Sequence, residues 1–392
     1  MSYKILVFSW NTESIALAET LDVQVAEYNR SSATSMFPGM TTWRHNYNIA
    51  DFYPKLCELI KQHQPDIIVI GFQEDRLPGS YFHSHLLPEE FPKIGYSLVK
   101  RTKLMGVGVT TYKGFTKGDL FERGIRVSVY ATHRLTKIIE KEEREMRSVI
   151  GNDGQTEYIC SSSLTRSKGA TSSYLMLPGV GRLAFICCHL PFNAHSLILE
   201  RLHNNPMLRQ NELNQSNVCF NNIIEHLVLL RGPAPSHVIY FGDFNYRISD
   251  LRSAEQVADE FLSHSQDLEY LRSMYENYDE LHEQMRRKNI YEFFEGIDNA
   301  GPLFLPTGKM VKGRYTSDST DEYQLDEPSI GIEQWETGRV DQRIPSWCDR
   351  ILYQQFGESK HNLRCTLYDR FDVGDTMAKS DHAAVLSLFT LN

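Results

Sequence analysis

Six short polar clusters stand at the edges of apolar runs, and their side chains are of the kinds that handle phosphate and metal. Asn11 follows "ILVFSW", Glu74 follows "DIIVIGFQ", His189 follows "LAFICC", and Asp243 and Asn245 follow "HVIYFG". Two further clusters, "WCDR" at 347–350 and "SDH" at 380–382, come immediately before apolar runs instead. Oxygen ligands of different type, Asn11 and Glu74, suit a hard cation that keeps waters in its shell, which favours Mg²⁺ over zinc. Asp243 can take a proton from water, with the Asn245 amide of "GDFN" to fix its position. His189, His382 and Arg350 offer donors or positive charge to a phosphoryl oxygen, and Asp349 suits the task of holding His382 in one tautomer. Together these types spell metal-assisted hydrolysis of a phosphate ester.

Each residue alone has a plainer reading. A glutamate after a strand is ordinarily a helix-start or solvated residue, and His189 on its own is more often a satisfied core histidine. "GDFN" also fits an Asx turn, and "SDH" a cap. Asp349 and Arg350 adjoin in sequence, so on a strand they face apart and do not simply pair with each other. Six such coincidences at strand ends carry more weight than any one.

The elements that must position these side chains follow from the apolar runs. "KILVF" near residue 6, 66–72, 126–131, 173–188, 237–242, 350–353 and 383–389 predict buried strands, the fourth split into a hairpin by "PGVG". Helical spacing recurs over 51–63 and 212–230, and the Gly- and Pro-free stretch 253–295 predicts one or two more helices. The stretches 313–341 and 141–170 read as long polar loops. If all six clusters meet at one rim, the last two strands leave the site where the first four enter it. That requires mixed sheets with antiparallel pairs, in one large α/β domain covering 1–392.

Composition narrows the partners. The chain has 392 residues, 41% hydrophobic and 23% charged, as a soluble protein with a sizeable core would. A net charge of −9 argues against gripping nucleic acid or an anionic membrane through bulk charge. Seven cysteines without a CxxC pair predict neither a zinc module nor a disulfide framework, but reduced thiols in a cytoplasmic setting. "MSYKILVFSWN" is too short in apolar residues for a signal-peptide core, and no run reaches the ~18 residues of a membrane span. A monomer with at most peripheral membrane contact is expected.

"FQE" (72–74), "GDFNYRI" (242–248), "PSWCDRIL" (345–352) and "SDHAAV" (380–385), in this order, resemble the inositol polyphosphate 5-phosphatases of the endonuclease/exonuclease/phosphatase superfamily. The resemblance runs over nearly the whole chain. "NYRI" and "WCDRIL" are specific to the 5-phosphatase branch, whereas "GDxN" and "SDH" are shared with nucleases and sphingomyelinases. It implies a four-layer α/β sandwich, two mixed β-sheets packed face to face with helices outside. It also implies Mg²⁺ and removal of the 5-phosphate from phosphoinositides or soluble inositol phosphates. Residue by residue, it implies Glu74 as metal ligand with Asn11 and Asp381 close by, Asp243 as the base, and Asn245 as its positioner. His189 and His382 would meet the scissile phosphate, with Asp349 behind His382, and Arg350, Lys168, Lys309 and Tyr246 would bind substrate.

Departures from the family pattern are informative. "CHLPFNAH" (188–195) stands where the family has a shorter "SHLAAH", which keeps His189 but displaces His195. "SKGA" (167–170) retains Lys168 and Gly169. "LPTGKMVKGRY" (305–315) keeps Lys309 but has Gly308 and Met310 where the family commonly has tyrosines, with Lys312, Arg314 or Tyr315 as candidate substitutes. Two rival readings share these residues: a nuclease or sphingomyelinase of the same superfamily, and a catalytically idle phosphoinositide binder.

Overall fold

The computed structural model describes residues 2–12, 52–76, 87–109, 120–150, 156–160, 168–191, 206–230, 234–249, 252–308, 310, 344–356, 359–371 and 380–392. Its twelve strands are β1 (Tyr3–Asn11), β2 (Ile67–Arg76), β3 (Tyr96–Val109), β4 (Leu120–Thr132), β5 (Glu157–Ile159), β6 (Gly169–Leu177), β7 (Gly181–His189), β8 (His237–Asp243), β9 (Phe294–Glu295), β10 (Asp349–Gln355), β11 (Leu363–Phe371) and β12 (Ala384–Leu391). They form two six-stranded sheets in the orders β11-β12-β1-β2-β4-β3 and β5-β6-β7-β8-β10-β9.

The central strands are apolar on consecutive residues because both of their faces are covered. One side of each strand turns into the space between the sheets, where Val7, Val69, Val127 and Val385 of the first sheet share a cluster with Phe185, Phe241 and Ile351 of the second. On the outer face of the first sheet, Leu6, Phe8, Ile68 and Ile70 pack on Leu56 and Ile60 of helix α1 (Phe52–His63). The second sheet's outer face sets Ala184, Ile186 and Tyr240 against Phe220, Ile223 and Ile224; these lie on a long helix that follows α2 (His133–Ile150), namely α3 (Pro206–Ile224). Helix, sheet, sheet, helix are thus the four layers expected.

Both sheets are mixed in the manner the motif positions require. β1 and β2 are parallel, as are β7 and β8, whereas β12 runs antiparallel to β1 and β10 antiparallel to β8. The Gly- and Pro-free stretch holds three helices rather than one or two: α4 (Ala254–Ser263), α5 (Leu268–Tyr278) and α6 (Glu280–Arg286). The breaks come from capping, not from helix breakers. Asp267 Oδ1 accepts from the N–H groups of Glu269 and Tyr270, and Asp279 Oδ1 from that of His282, so each aspartate starts a new helix.

Three expectations need correction or limit. The first part of 141–170 continues helix α2 to Ile150 rather than looping. Cys160 and Cys219 are joined in a disulfide, contrary to the reading of all seven cysteines as reduced, while Cys57, Cys187, Cys188, Cys348 and Cys365 are buried and in no disulfide. The predicted loop 313–341 lies outside the described residues. Among the described residues, no helix is long and apolar enough to cross a membrane.

Candidate active site

Register alone brings three of the expected side chains into a row. In the second sheet His189 closes β7 opposite Asp243, and Asp349 opens β10 opposite the same Asp243. Such close strand packing needs Gly242 directly before Asp243. Its φ is +135°, and a Cβ there would lie 2.1 Å from the Cys188 carbonyl oxygen.

The first sheet delivers its share to the same rim. Asn11 ends β1, and its Nδ2 crosses between the sheets to donate to Asp243 Oδ2 at 2.8 Å. His382 arrives just ahead of β12. The Trp10 indole donates to its carbonyl at 3.0 Å, and its own N–H donates to Ser380 Oγ at 3.1 Å. Ser380 Oγ in turn donates to the Asn11 carbonyl at 2.7 Å, so Asn11 and His382 are positioned together. Glu74 is aimed by a bulge: the β2–β4 register slips between Phe72 and Asp75, and Glu74 sits at φ 53°. The buried ion pair of Asp75 with Arg126 anchors the far side of the slip.

The charged atoms converge on His189 and Asp243. His189 Nε2 lies 3.3 Å from Asp243 Oδ2 and 3.7 Å from Glu74 Oε1, and the Lys168 ammonium contacts the same nitrogen. Burial first, and the Lys168 charge second, hold His189 below the ordinary imidazole value, against the pull of Asp243 and Glu74. Burial acts to raise Asp243, but the His189 hydrogen bond and the charges of His382, His189 and Lys168 reverse this and leave it well below the usual carboxylate range. With His189 neutral near neutral pH, the Lys168 ammonium remains to sustain the Asp243 anion.

His382 has its own carboxylate. Asp349 Oδ2 meets His382 Nδ1 at 2.8 Å, which turns Nε2 towards Asp381 Oδ1, 3.6 Å away. Burial raises Asp349, and the charge and hydrogen bond of His382 oppose it. Behind the pair, Thr307 Oγ1 accepts from the Asp349 N–H at 3.0 Å, and the Thr307 carbonyl from the Ala383 N–H at 2.7 Å. The Met310 N–H reaches the Asp381 carbonyl at 2.9 Å. The segment around Gly308 is therefore a strap joining "WCDR" to "SDH". A Cβ at Gly308 would stand 3.3 Å from His382 Cε1 and 3.2 Å from Cys348 Sγ, and Met310 is buried.

Two expected substrate contacts are corrected. Arg350 is fully buried. Its Nε donates to Glu295 Oε1 at 2.5 Å, Nη2 to Glu295 Oε2, and Nη1 to Asp279 Oδ2 at 2.9 Å and the Trp347 carbonyl at 3.2 Å. It faces away from Asp349, as strand alternation demands, and braces β10 from behind. Tyr246 is buried in the helix–sheet cluster and donates its hydroxyl to Asn217 Oδ1 at 2.8 Å. Asn245 serves Asp243 by its backbone: its N–H donates to Asp243 Oδ1 at 2.9 Å, while its side-chain amide donates to the Leu190 carbonyl. Lys309, His195, Lys312, Arg314 and Tyr315 lie outside the described residues.

The donor set suits a hard divalent cation. Among the described residues, Glu74, Asp243, Asp349 and Asp381 set four carboxylates against the Lys168 ammonium, an excess of negative charge that a cation would relieve. Ligand atoms of Asp243, Asp349 and His382 lie within 4.8 Å of one another, but Asp349 Oδ2 and His382 Nδ1 already bond each other. Asp243, Glu74, Asn11 and Asp381 are the oxygen donors outside that bond. Sequence reasoning gave no part to Thr307, Ser380, Asp279 or Glu295, whose partners Asp349, Asn11 and Arg350 lie 42 to 369 residues away in the chain.

Comparison with known proteins agrees with the motifs. The sequence model described as Endonuclease/Exonuclease/phosphatase family 2 matches residues 9–388. Type II inositol polyphosphate 5-phosphatase 15 of Arabidopsis thaliana is 30% identical over 162 residues, 39% of this chain and 12% of that protein. Type IV inositol polyphosphate 5-phosphatase 11 of the same plant is 25% identical over 345 residues, 88% of this chain and 79% of that protein. The first of these matches thus spans far less than two thirds of the relative's length. Among solved structures, the inositol polyphosphate 5-phosphatase domain of SPsynaptojanin, in complex with inositol (1,4)-bisphosphate and calcium ion, has a TM-score of 0.54 at 20% identity, over 100% of this chain and 84% of that one. That likeness shows a shared fold.

Proposed function

The chain belongs to the Endonuclease/Exonuclease/phosphatase family 2, and from that footing we propose that it is a Mg²⁺-dependent phosphoric monoester hydrolase that removes the 5-phosphate of an inositol polyphosphate, free or lipid-borne. The observation that carries this reading is the single rim where Asn11 reaches Asp243 and Asp349 reaches His382, each at 2.8 Å, across the two sheets. The named relatives supply the substrate class.

Glu74, Asn11 and Asp381 would hold the cation, which when bound supplies positive charge to phosphoryl oxygens and acidifies water. Asp243 orients the attacking water and accepts its proton. Its carboxylate is a weak base, and this suffices where bond formation lags behind bond breaking, as in the loose transition states of phosphoryl transfer. His382, with Asp349 fixing Nδ1, presents Nε2 to the phosphate, and Lys168 and His189 face it from the other side.

A panel of inositol polyphosphates and phosphoinositides, scored for released phosphate with Mg²⁺ and after chelation, tests the reading. Release is expected with Mg²⁺ only, and Asp243→Ala should abolish it while the circular dichroism spectrum is retained. Cleavage of abasic or nicked DNA in place of phosphate release would favour the nuclease reading instead.

A further inference from the structure

The Cys160–Cys219 bond lies outside the site, yet only one hydrogen bond separates it from a site residue. The Cys160 N–H donates to the Lys168 carbonyl at 3.1 Å, extending the ladder that pairs Glu157, Tyr158 and Ile159 of β5 with Thr171, Ala170 and Gly169 of β6. The two segments are pressed tightly together. Gly169 has φ +154°, and a Cβ there would lie 2.0 Å from the Tyr158 carbonyl oxygen. Displacement of β5 therefore displaces Lys168, whose ammonium contacts His189 Nε2.

β5 is a three-residue edge strand, half-buried along its length and, among the described residues, paired only with β6. Such a strand is weakly held by its own ladder. The disulfide ties its end to Cys219 of α3, which is packed with Phe220 and Ile223 on the second sheet.

We propose that Cys160 and Cys219 are redox-dependent positioning residues, whose disulfide holds Lys168 against His189 and so tightens binding of the phosphate ester; this rests on the phosphatase reading above. The oxidant is a low-molecular-weight disulfide. The Cys160 thiolate attacks it to form a mixed disulfide and release one thiol. The Cys219 thiolate then displaces the second, so two protons and two electrons leave the protein and one S–S bond forms. Cys160 is half-buried and can meet the oxidant, whereas the five cysteines outside the disulfide are buried. Burial also raises the thiols of Cys57, Cys187, Cys188 and Cys365, which slows their reaction.

The test uses the full chain equilibrated with oxidised or reduced glutathione. Peptide mapping locates the bond, steady-state kinetics with Mg²⁺ and a soluble inositol polyphosphate give KM and kcat, and the His189 ring is titrated by NMR. Reduction should raise KM roughly fivefold with a smaller change in kcat, and should move the His189 titration upward as Lys168 withdraws. Cys219→Ser and, independently, Cys160→Ser should match reduced wild type in both buffers. Free thiols at 160 and 219 in the oxidising buffer would overturn the proposal. So would a reduced form that differs only in melting temperature, with KM and the His189 titration unchanged. If neither redox form releases phosphate, the phosphatase reading fails, and the His189 titration still decides whether the disulfide positions Lys168.

Discussion

Asp349 Oδ2 and His382 Nδ1 lie 2.8 Å apart although they come from opposite sheets. Neither side chain can turn without losing this contact, because the Asp349 backbone is held by Thr307 and the His382 backbone by Ser380. The carboxylate therefore selects the imidazole tautomer and fixes where Nε2 points. Asp349→Asn keeps the shape but removes the carboxylate charge beside Nδ1, so the ring can no longer hold Nδ1–H on an anion while Nε2 donates to the phosphate. We expect kcat to fall on the order of 10³-fold, with KM changing much less. Steady-state kinetics on the purified variant check this, and an unchanged kcat would remove Asp349 from the mechanism.

Arg350 tells a different story from its neighbour. Its guanidinium is enclosed by Glu295 and Asp279, and Tyr368 donates its hydroxyl to Glu295 Oε1 at 2.8 Å. Arg350→Met removes the cation and leaves two buried carboxylates facing each other. The expected loss is roughly 3–5 kcal/mol of folding stability, measured by urea denaturation, with KM of the folded fraction unaltered. A raised KM without loss of stability would instead place the guanidinium on the substrate.

The same network makes a pH prediction. One guanidinium serves two carboxylates, and burial first, then the Glu295 charge, push Asp279 up to about 6 despite Arg350. An unfolded aspartate titrates near ~3.9, so between about pH 4 and about pH 6 the native state binds the extra proton. The stability this supplies is complete below about pH 4 and is lost as the pH rises towards about 6. Asp279→Asn removes the titration yet keeps an oxygen for Arg350 and an equally good cap for α6. Melting temperatures of variant and wild type should agree near pH 4, and the variant should be the more stable at pH 7. A variant that is less stable at pH 7 would contradict this.

How far the sequence foretold these contacts depended on where each residue sits. The eight strands expected from apolar runs are the inner strands of both sheets, apolar on consecutive residues because both faces are covered. The four missed, β3, β5, β9 and β11, are the four sheet edges. Edge strands meet water along one side, so they carry charge or alternate, as "LRCTLYDRF" does with its buried-exposed pattern. The site was legible at Asp243, His189, Asn11, Asp349 and His382 because each adjoins a buried strand whose register fixes its place. Arg350 was legible only as to direction. Alternation says that it faces away from Asp349, but its partners Glu295 and Asp279 lie 55 and 71 residues away in the chain. The bulge that aims Glu74 leaves no mark in "FQEDR", since the slip is set by the pairing with β4.

Lys168 adds to what sets protonation at the rim, second to burial at His189 and after burial, His189 and His382 at Asp243. It lowers His189 after burial has done so, and it also lowers Asp243. A protonated His189 would engage Asp243 Oδ2, only 3.3 Å away, and compete with the attacking water for it. On the proposed mechanism the active form carries neutral His189, and Lys168 extends its range to lower pH. Lys168→Gln should raise KM roughly tenfold, the cost of one charge-assisted contact to phosphate. It should also move the acid limb of kcat/KM to higher pH, because His189 then gains its proton more readily. Initial rates of phosphate release across the pH range, with Mg²⁺ held constant, measure both effects. Superimposable pH profiles with an unchanged KM would show that Lys168 neither meets the substrate nor tunes His189.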